Sequence, residues 1–165
     1  MRILAAALLL LSSLPALGQD IKATLIKHLK TSEAFTLKVA EAMPADNYDF
    51  KLTPPQMSFA EQLIHIGQAQ DFFLSALSGE KPSEAKPPSK SKADVTAFLQ
   101  ASFEKAIQRV DALTPETLHK TYQTGEGSLT GLNLVLGDLD HTTHHRASAE
   151  MYLRAKGITP PEYTY

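Results

Sequence analysis

Three of the six histidines of the chain lie within five positions, in the stretch LDHTTHHRAS at residues 139–148. If this stretch is helical, His141 and His145 are one turn apart, and both imidazoles face the same side of the helix. Such a pair can hold one metal ion between its rings, whereas adjacent residues cannot easily do so. The spacing therefore selects His141 and His145 as candidate metal ligands and leaves His144 at the edge of that face.

A metal ion needs a third protein ligand, and His65 in EQLIHIGQAQ is the natural donor. It lies in the middle of a predicted helix, beside an apolar stripe, and the small Ala69 on its own side leaves room for a cavity. A hydrogen-bonded core histidine is the alternative for His65, and surface or partly buried residues are the alternative for the pair. His28, among lysines, is predicted to be solvated. His119 is expected at the end of a short helix, where a cation is favoured.

Two carboxylates are candidates for supporting roles. Asp138 lies one turn before His141 on the same face, where it could be a further ligand or accept a hydrogen bond from an imidazole N–H. Glu61 could orient an imidazole or accept a proton, but its spacing from Ser58 is also that of a helix capping box. The sequence assigns no catalytic residue.

Along the rest of the chain, segments of helical periodicity alternate with helix-breaking residues. This pattern places the candidate histidines and carboxylates on long helices. Helices are predicted at about 20–43, 58–79, 93–113 and 132–156, with a short one after Pro115 capped by Thr114. Irregular connections are predicted at 44–57 and 121–131, and a solvated, proline-rich linker at 80–92. Because no alternating strand pattern of useful length is present, we predict an all-α four-helix bundle.

Residues 1–18, MRILAAALLLLSSLPALG, have the pattern of a cleaved secretory signal peptide. Arg2 precedes an apolar run that is too short to span a bilayer, and small residues precede the expected cleavage after Gly18. A buried N-terminal helix of the domain is the alternative. We therefore expect one domain at 19–165, exported to the periplasm or secreted, with no membrane contact after cleavage.

Charge and cysteine content exclude several classes of function. Removal of residues 1–18 takes away Arg2 and no acidic residue, which leaves 15 basic and 18 acidic residues and a net charge of −3. A mildly acidic domain without a basic stripe is a poor nucleic-acid binder. With no cysteine, the chain has no disulfide and no thiolate ligand, so a metal site must use histidine and carboxylate. The oligomeric state stays open, and a homodimer is compatible with the sequence.

Two stretches together resemble the DinB-like superfamily, also called the DinB/YfiT-like metalloenzymes. They are SFAEQLIHIGQAQDFFLSAL and DHTTHHRASAEMYLRAKGITPPEY, and the resemblance covers essentially the whole chain after residue 18. In that family the last helix carries His-x-x-x-His followed by Arg, then a basic residue and glycine at its end and a Pro-Pro tail. The corresponding residues here are His141, His145, Arg146, Arg154, Gly157, Pro160 and Pro161. Ala147-Ser148 depart from the Gly-Gln often found there.

The resemblance implies a bundle in which His65, His141 and His145 bind a divalent metal, the same three residues that the spacing selects. Three imidazoles with an open position are typical of catalytic rather than structural zinc sites, and nickel, iron or manganese also accept imidazole. Zinc or nickel is the expected ion. Similar bundles include thiol transferases and metal-dependent hydrolases, so we expect an enzyme of hydrolase or transferase type acting on an unknown small molecule. A non-catalytic metal- or ligand-binding module is the alternative.

Overall fold

A computed structural model describes residues 14–125 and 127–164, with side chains from residue 21 onward. Most of the predicted signal peptide, residues 1–13, lies outside the described residues. The helices are α1 (Leu14–Ala42), α2 (Phe59–Leu74), α3 (Lys92–Asp111), α4 (Pro115–His119) and α5 (Gly131–Ala155), and the strands are β1 (Thr121–Thr124) and β2 (Gly127–Thr130). Two 3-10 turns, Ala45–Asn47 and Ser75–Ser78, follow α1 and α2.

Local signals in the sequence set several helix ends. Ser58 caps α2 through the backbone N–H of Glu61, and the Glu61 side chain accepts from the backbone N–H of Ser58, as the capping-box spacing predicts. Thr114 caps α4, which begins at Pro115. The 3-10 turn after α2 stops at Gly79, whose φ of 72° is accessible to glycine at little cost. The predicted boundaries at these positions are confirmed.

The four long helices pack in a closed ring in the order α1, α3, α2, α5, so that each contacts two neighbours. Their inward faces form two apolar clusters. One is centred on the large residues Phe35, Phe59, Phe103 and Tyr152, and the other includes Leu29, Leu74, Val110, Leu118 and Val135. The chain is thus predominantly helical, as predicted. Within the described residues, no helix combines the length and hydropathy that crossing a bilayer requires.

The connection between α3 and α5 differs from the prediction of an irregular loop at 121–131. β1 and β2 pair as an antiparallel hairpin, with Thr121 opposite Thr130 and Thr124 opposite Gly127. Half of these residues are exposed and the other half only partly buried, and the strands lack the apolar alternation that reveals a half-buried strand. The hairpin is held by pairing between its own strands, and a pattern of buried residues could not have predicted it.

The predicted linker at 80–92 is irregular and mostly exposed from 80 to 91, Lys92 already belonging to α3, and it is bound to the bundle rather than free. The backbone N–H of Ser83 donates to Asp71 of α2 at 2.5 Å, and Arg109 of α3 bridges Asp71 and Glu80. Pro87 is buried. Composition predicts the absence of regular structure correctly but misses these polar attachments, which come from residues distant in sequence.

The start of α5 is a position where only glycine fits. A Cβ on Gly131 would lie 2.5 Å from the backbone oxygen of Thr117 and 3.2 Å from Leu118 Cα, and backbone atoms cannot move aside as a flexible side chain can. We expect Gly131→Ala to lower the free energy of unfolding by about 1–3 kcal/mol through overpacking, measured by urea denaturation.

Gly137→Ala is the matched control in the same helix. Its Cβ would lie 3.4 Å from the nearest atom of the Phe73 ring, close to ordinary contact, and alanine favours a helix over glycine by about 1 kcal/mol. The control should be as stable as the wild-type protein or more so. Equal stability of Gly131→Ala and wild type would show that α4 and α5 are not held at this distance.

Candidate metal centre

Three histidine rings from two helices converge on one small space. The ring centroid of His65 on α2 lies 4.9 Å from that of His141 and 4.5 Å from that of His145, and the two α5 rings are 4.5 Å apart. One ring nitrogen of each residue can be chosen so that all three lie within 4.8 Å of one another. The predicted triad is therefore assembled, with all three side chains partly buried.

The antiparallel packing of α2 against α5 produces this convergence. The Tyr152 hydroxyl donates to the carbonyl oxygen of Met57 at the start of α2. Further along α2, the Phe73 ring faces Gly137, where α5 carries no side chain to separate the helices. Because the helices are antiparallel, residues later in α2 contact residues earlier in α5. His65 meets the His141–His145 pair between these two contacts.

Gln62 belongs to the site although the sequence analysis did not identify it. Its amide Oε1 lies 2.7 Å from His145 Nδ1, and the glutamine is buried. Because an amide oxygen only accepts hydrogen bonds, Nδ1 carries the proton and Nε2 keeps its lone pair. An acceptor on the second ring nitrogen is the usual arrangement around metal-binding histidines. Gln62 lies three residues before His65 and therefore on the same helix face. This spacing is the signal that could have identified Gln62 from the sequence.

Burial and mutual repulsion keep the triad neutral. Burial lowers the pKa of His65 and of His141, and positive charge on His65 and His144 lowers the pKa of His141 further. The pKa of His145 falls to about 4, through burial first and then through the charges of His141, His65 and His144. Neutral imidazole is the form that binds a metal, so the three rings are in the ligating state at neutral pH.

Among the described residues, neither candidate carboxylate hydrogen-bonds to a histidine ring. Asp138 is completely buried, burial raises its pKa to about 8, and its oxygens have no hydrogen-bond partner among the described residues. It is also absent from the group whose ligand atoms converge. Glu61 is held in the Ser58 cap and by Lys90, and hydrogen bonds from Lys90 and then from Ser58 lower its pKa to about 2. The capping role of Glu61, one of its two predicted roles, is the one observed.

Arg146, beside His145 in sequence, points away from the triad toward α1. Its guanidinium donates to Ser32 at 2.8 Å and to Thr36 at 3.4 Å, and it lies 4.6 Å from the centre of the Phe35 ring. The arginine is buried, so these contacts fix the rotation of α5 about its axis. With one face of α5 bound to α1, the neighbouring His145 is directed toward α2.

The other three histidines have the places that the sequence predicts. His28, His119 and His144 are exposed. The His144 ring stands edge-on to His145 at 4.9 Å but does not join the converging group.

A cavity of about 660 Å³ opens beside the triad, with His65 and His141 in its wall. Ala69 and the paired rings of Phe72 and Phe73 line it from α2. The segment 80–91 supplies another part of the lining. The room for a cavity that the small Ala69 predicts is confirmed.

The lowered pKa of His145 predicts a loss of stability in acid for the metal-free protein. Between its usual value of 6.5 and about 4, the unfolded chain binds a proton that the folded chain excludes, so the folded state is destabilised as pH falls through that window. We expect His145→Gln to reduce the loss between pH 7 and pH 4 by roughly 1–2 kcal/mol, with allowance for solvent screening. Urea denaturation in the presence of a chelator measures it.

His119→Gln is the control, since the His119 side chain is exposed and distant in sequence from the triad. Its stability should follow pH as the wild type does. Parallel curves for wild type and His145→Gln would contradict a lowered pKa of His145 in the folded state.

Comparison with known proteins supports the same fold. YjoA of Bacillus subtilis (strain 168), a protein named only as uncharacterized, is 23% identical over 142 residues, which span 82% of this chain and 90% of YjoA. Its crystal structure, described as DinB-like, superposes with a TM-score of 0.73 at 22% identity and covers 85% of this chain and 96% of its own.

Two further crystal structures share the fold. A DinB-like protein from Bacillus cereus has a TM-score of 0.70 at 17% identity, covering 85% of this chain and 95% of its own. A protein assigned to the DinB family from Exiguobacterium sibiricum has a TM-score of 0.61 at 17% identity, covering 84% and 93%. The model of the DinB family matches residues 17–165, nearly the whole length. This chain therefore belongs to the DinB family.

Proposed function

We propose that this protein binds one divalent metal ion through His65, His141 and His145, with zinc or nickel as the ion. The observation that carries the proposal is the convergence of three ligand atoms, each within 4.8 Å of the others, at the wall of a cavity. Two nitrogens bound to one zinc ion at about 2.1 Å and a tetrahedral angle are about 3.4 Å apart, so modest ring rotations bring the three into place.

The donor set fits such an ion. All three ligands are imidazoles held neutral by their surroundings, and His145 already has its Nδ1 proton donated to Gln62. His141 Nδ1 is buried without a hydrogen-bond partner among the described residues. Imidazole suits zinc, nickel, copper and iron, and the three-histidine set resembles the open sites of catalytic zinc.

We further propose that the protein is a metal-dependent enzyme of hydrolase or transferase type that acts on a small molecule. A divalent ion with an open position polarises a carbonyl group or brings the pKa of a bound water to about 7. The chain itself supplies three ligands, orients one of them through Gln62, and offers a cavity at their side.

We propose that the domain at 19–165 works in the periplasm or outside the cell. The signal-peptide features of residues 1–18 support this location. Hydrolysis is favoured over thiol transfer in that location. Thiol cofactors are abundant and reduced inside cells, whereas hydrolysis needs only water.

One observation favours the alternative of a metal- or ligand-binding module without turnover. Glu61 is engaged in its cap and Asp138 is sequestered and neutral, so neither carboxylate considered as a proton acceptor is placed to act. Assay of the metal-loaded protein against panels of esters, amides and thiol-conjugation substrates separates the two. Turnover that disappears with the metal supports the enzyme, and its absence across the panel supports the module.

The first test is metal content. Protein expressed without a His tag should contain about one ion per chain by mass spectrometry, and His141→Ala should lose it because two imidazoles bind a divalent ion too weakly to survive purification. His144→Ala, which changes the exposed neighbour on the same helix, should keep the ion. Equal metal content in all three proteins would refute the triad as the binding site.

Gln62 should tune the affinity of that ion. Gln62→Leu keeps the side-chain volume but removes the acceptor of the His145 Nδ1 proton, and loss of such a partner weakens metal binding about 10- to 100-fold. Competition with a fluorescent zinc chelator measures the effect. Gln108→Leu, the same change at an exposed position of α3 away from the cavity, should bind as the wild type does. Unchanged affinity in Gln62→Leu would assign the glutamine a purely structural role.

A further inference from the structure

The cavity beside the triad has an aromatic wall that reaches the histidines themselves. The Phe73 ring centre lies 5.8 Å from that of His141, and the Phe72 ring stands edge-on to Phe73 at 5.5 Å and 82°. Ala69 and Pro82 add further apolar surface to the lining. If one end of a ligand is bound at the triad, its neighbouring apolar groups therefore lie directly against these aromatic rings.

Phe72 is more exposed than its apolar character favours. Its relative exposure is 38%, although Phe73 beside it is partly buried and the hairpin turn at Gly125 lies near its ring. Apolar side chains exposed at the wall of a cavity, beside a few polar groups, are typical of surfaces that a small ligand covers. Phe72 is thus placed to contact a ligand without being needed for the core.

The part of the cavity wall that segment 80–91 forms carries no net charge. Segment 80–91 contributes Glu84 and Lys86 to the lining, and their charges are opposite in sign. Ser83, between them and the bundle, is fixed by its hydrogen bond to Asp71, whose carboxylate is paired with Arg109 at 2.8 Å. The wall is preformed, and its charges do not favour either an anionic or a cationic ligand body.

We infer that the site accepts a small molecule with a compact aromatic or similarly flat apolar group adjacent to its metal-binding atoms, and with no required charge on that group. This inference rests on the proposed metal site and names the substrate class for it. The triad holds the reactive end, Phe72 and Phe73 cover the apolar group, and segment 80–91 forms a further part of the wall. A volume of about 660 Å³ is in the range typical of small-molecule sites.

Two probes with the same metal-binding group test the inference. Acetohydroxamate and benzohydroxamate differ only in a methyl and a phenyl group, and their affinities for the full-length, zinc-loaded protein can be measured by isothermal titration calorimetry. We expect benzohydroxamate to bind about tenfold more tightly, as burial of a phenyl face against apolar surface should allow. Equal affinities in the wild-type protein would overturn the inference, and this comparison needs no variant.

A variant pair identifies the wall. Phe72→Ala should reduce the preference for benzohydroxamate to less than about threefold, whereas Met151→Ala, a truncation at an apolar position of α5 that is 55% exposed, should keep it in full. Full preference in a folded Phe72→Ala protein, checked by its thermal melt, would overturn the assignment of the wall. If His141→Ala, with no bound zinc, binds both probes as the wild type does, the proposed metal function fails. If zinc is bound but the phenyl preference is missing, only the present inference fails.

Discussion

The antiparallel contact between α2 and α5 is the constraint on which the rest of the site depends. The hydrogen bond from Tyr152 to Met57 fixes it at one end, and the Phe73 ring packs beside Gly137 toward the other end. A shift of one residue along either helix would turn a histidine by about 100° and remove it from the group. The site therefore exists only in one register of the bundle, which the aromatic core around Tyr152 also requires.

Assembly of the triad has an energetic cost for the fold. Three imidazoles share a partly buried space, and their mutual repulsion adds to burial in lowering the pKa values of His141 and His145. The clustered imidazoles oppose protonation. A metal ion bound to them would offset the energetic cost of the cluster, since a ligand that binds only the folded state stabilises that state. Near His141, several buried polar groups have no hydrogen-bond partner within the described part of the chain, including both oxygens of Asp138, and folding alone does not explain this feature.

The two irregular connections contribute to the site as well as join helices. Segment 80–91 is bound to α2 and α3 through the Asp71–Arg109 pair and forms one side of the cavity. The hairpin formed by β1 and β2 brings its turn, at Gly125, next to Phe72. Loops held on a rigid helical scaffold are where related bundles can differ in ligand without changing the fold.

Much of the helical framework follows from local chemistry. Helical periodicity, the Ser58 capping box, Pro115 after Thr114 and glycines past the helix ends place the helices nearly as observed, because these signals act within one or two turns of the chain. The hairpin and the attached segment 80–91 could not be predicted in the same way. Their stabilising contacts are exposed strand pairing and polar bonds to residues of distant helices, neither of which leaves a pattern of hydrophobic residues.

The candidate site also has features that follow from local sequence and features that depend on contacts between helices. The sequence by itself determined that His141 and His145 share a helix face, because their spacing equals one turn, and it named His65 as the third partner. Only the tertiary structure decided that the three rings meet, that Gln62 rather than a carboxylate holds His145, and that Asp138 is sequestered. The physical reason is that helix spacing sets directions around one axis, whereas distances between helices depend on how two whole surfaces pack together.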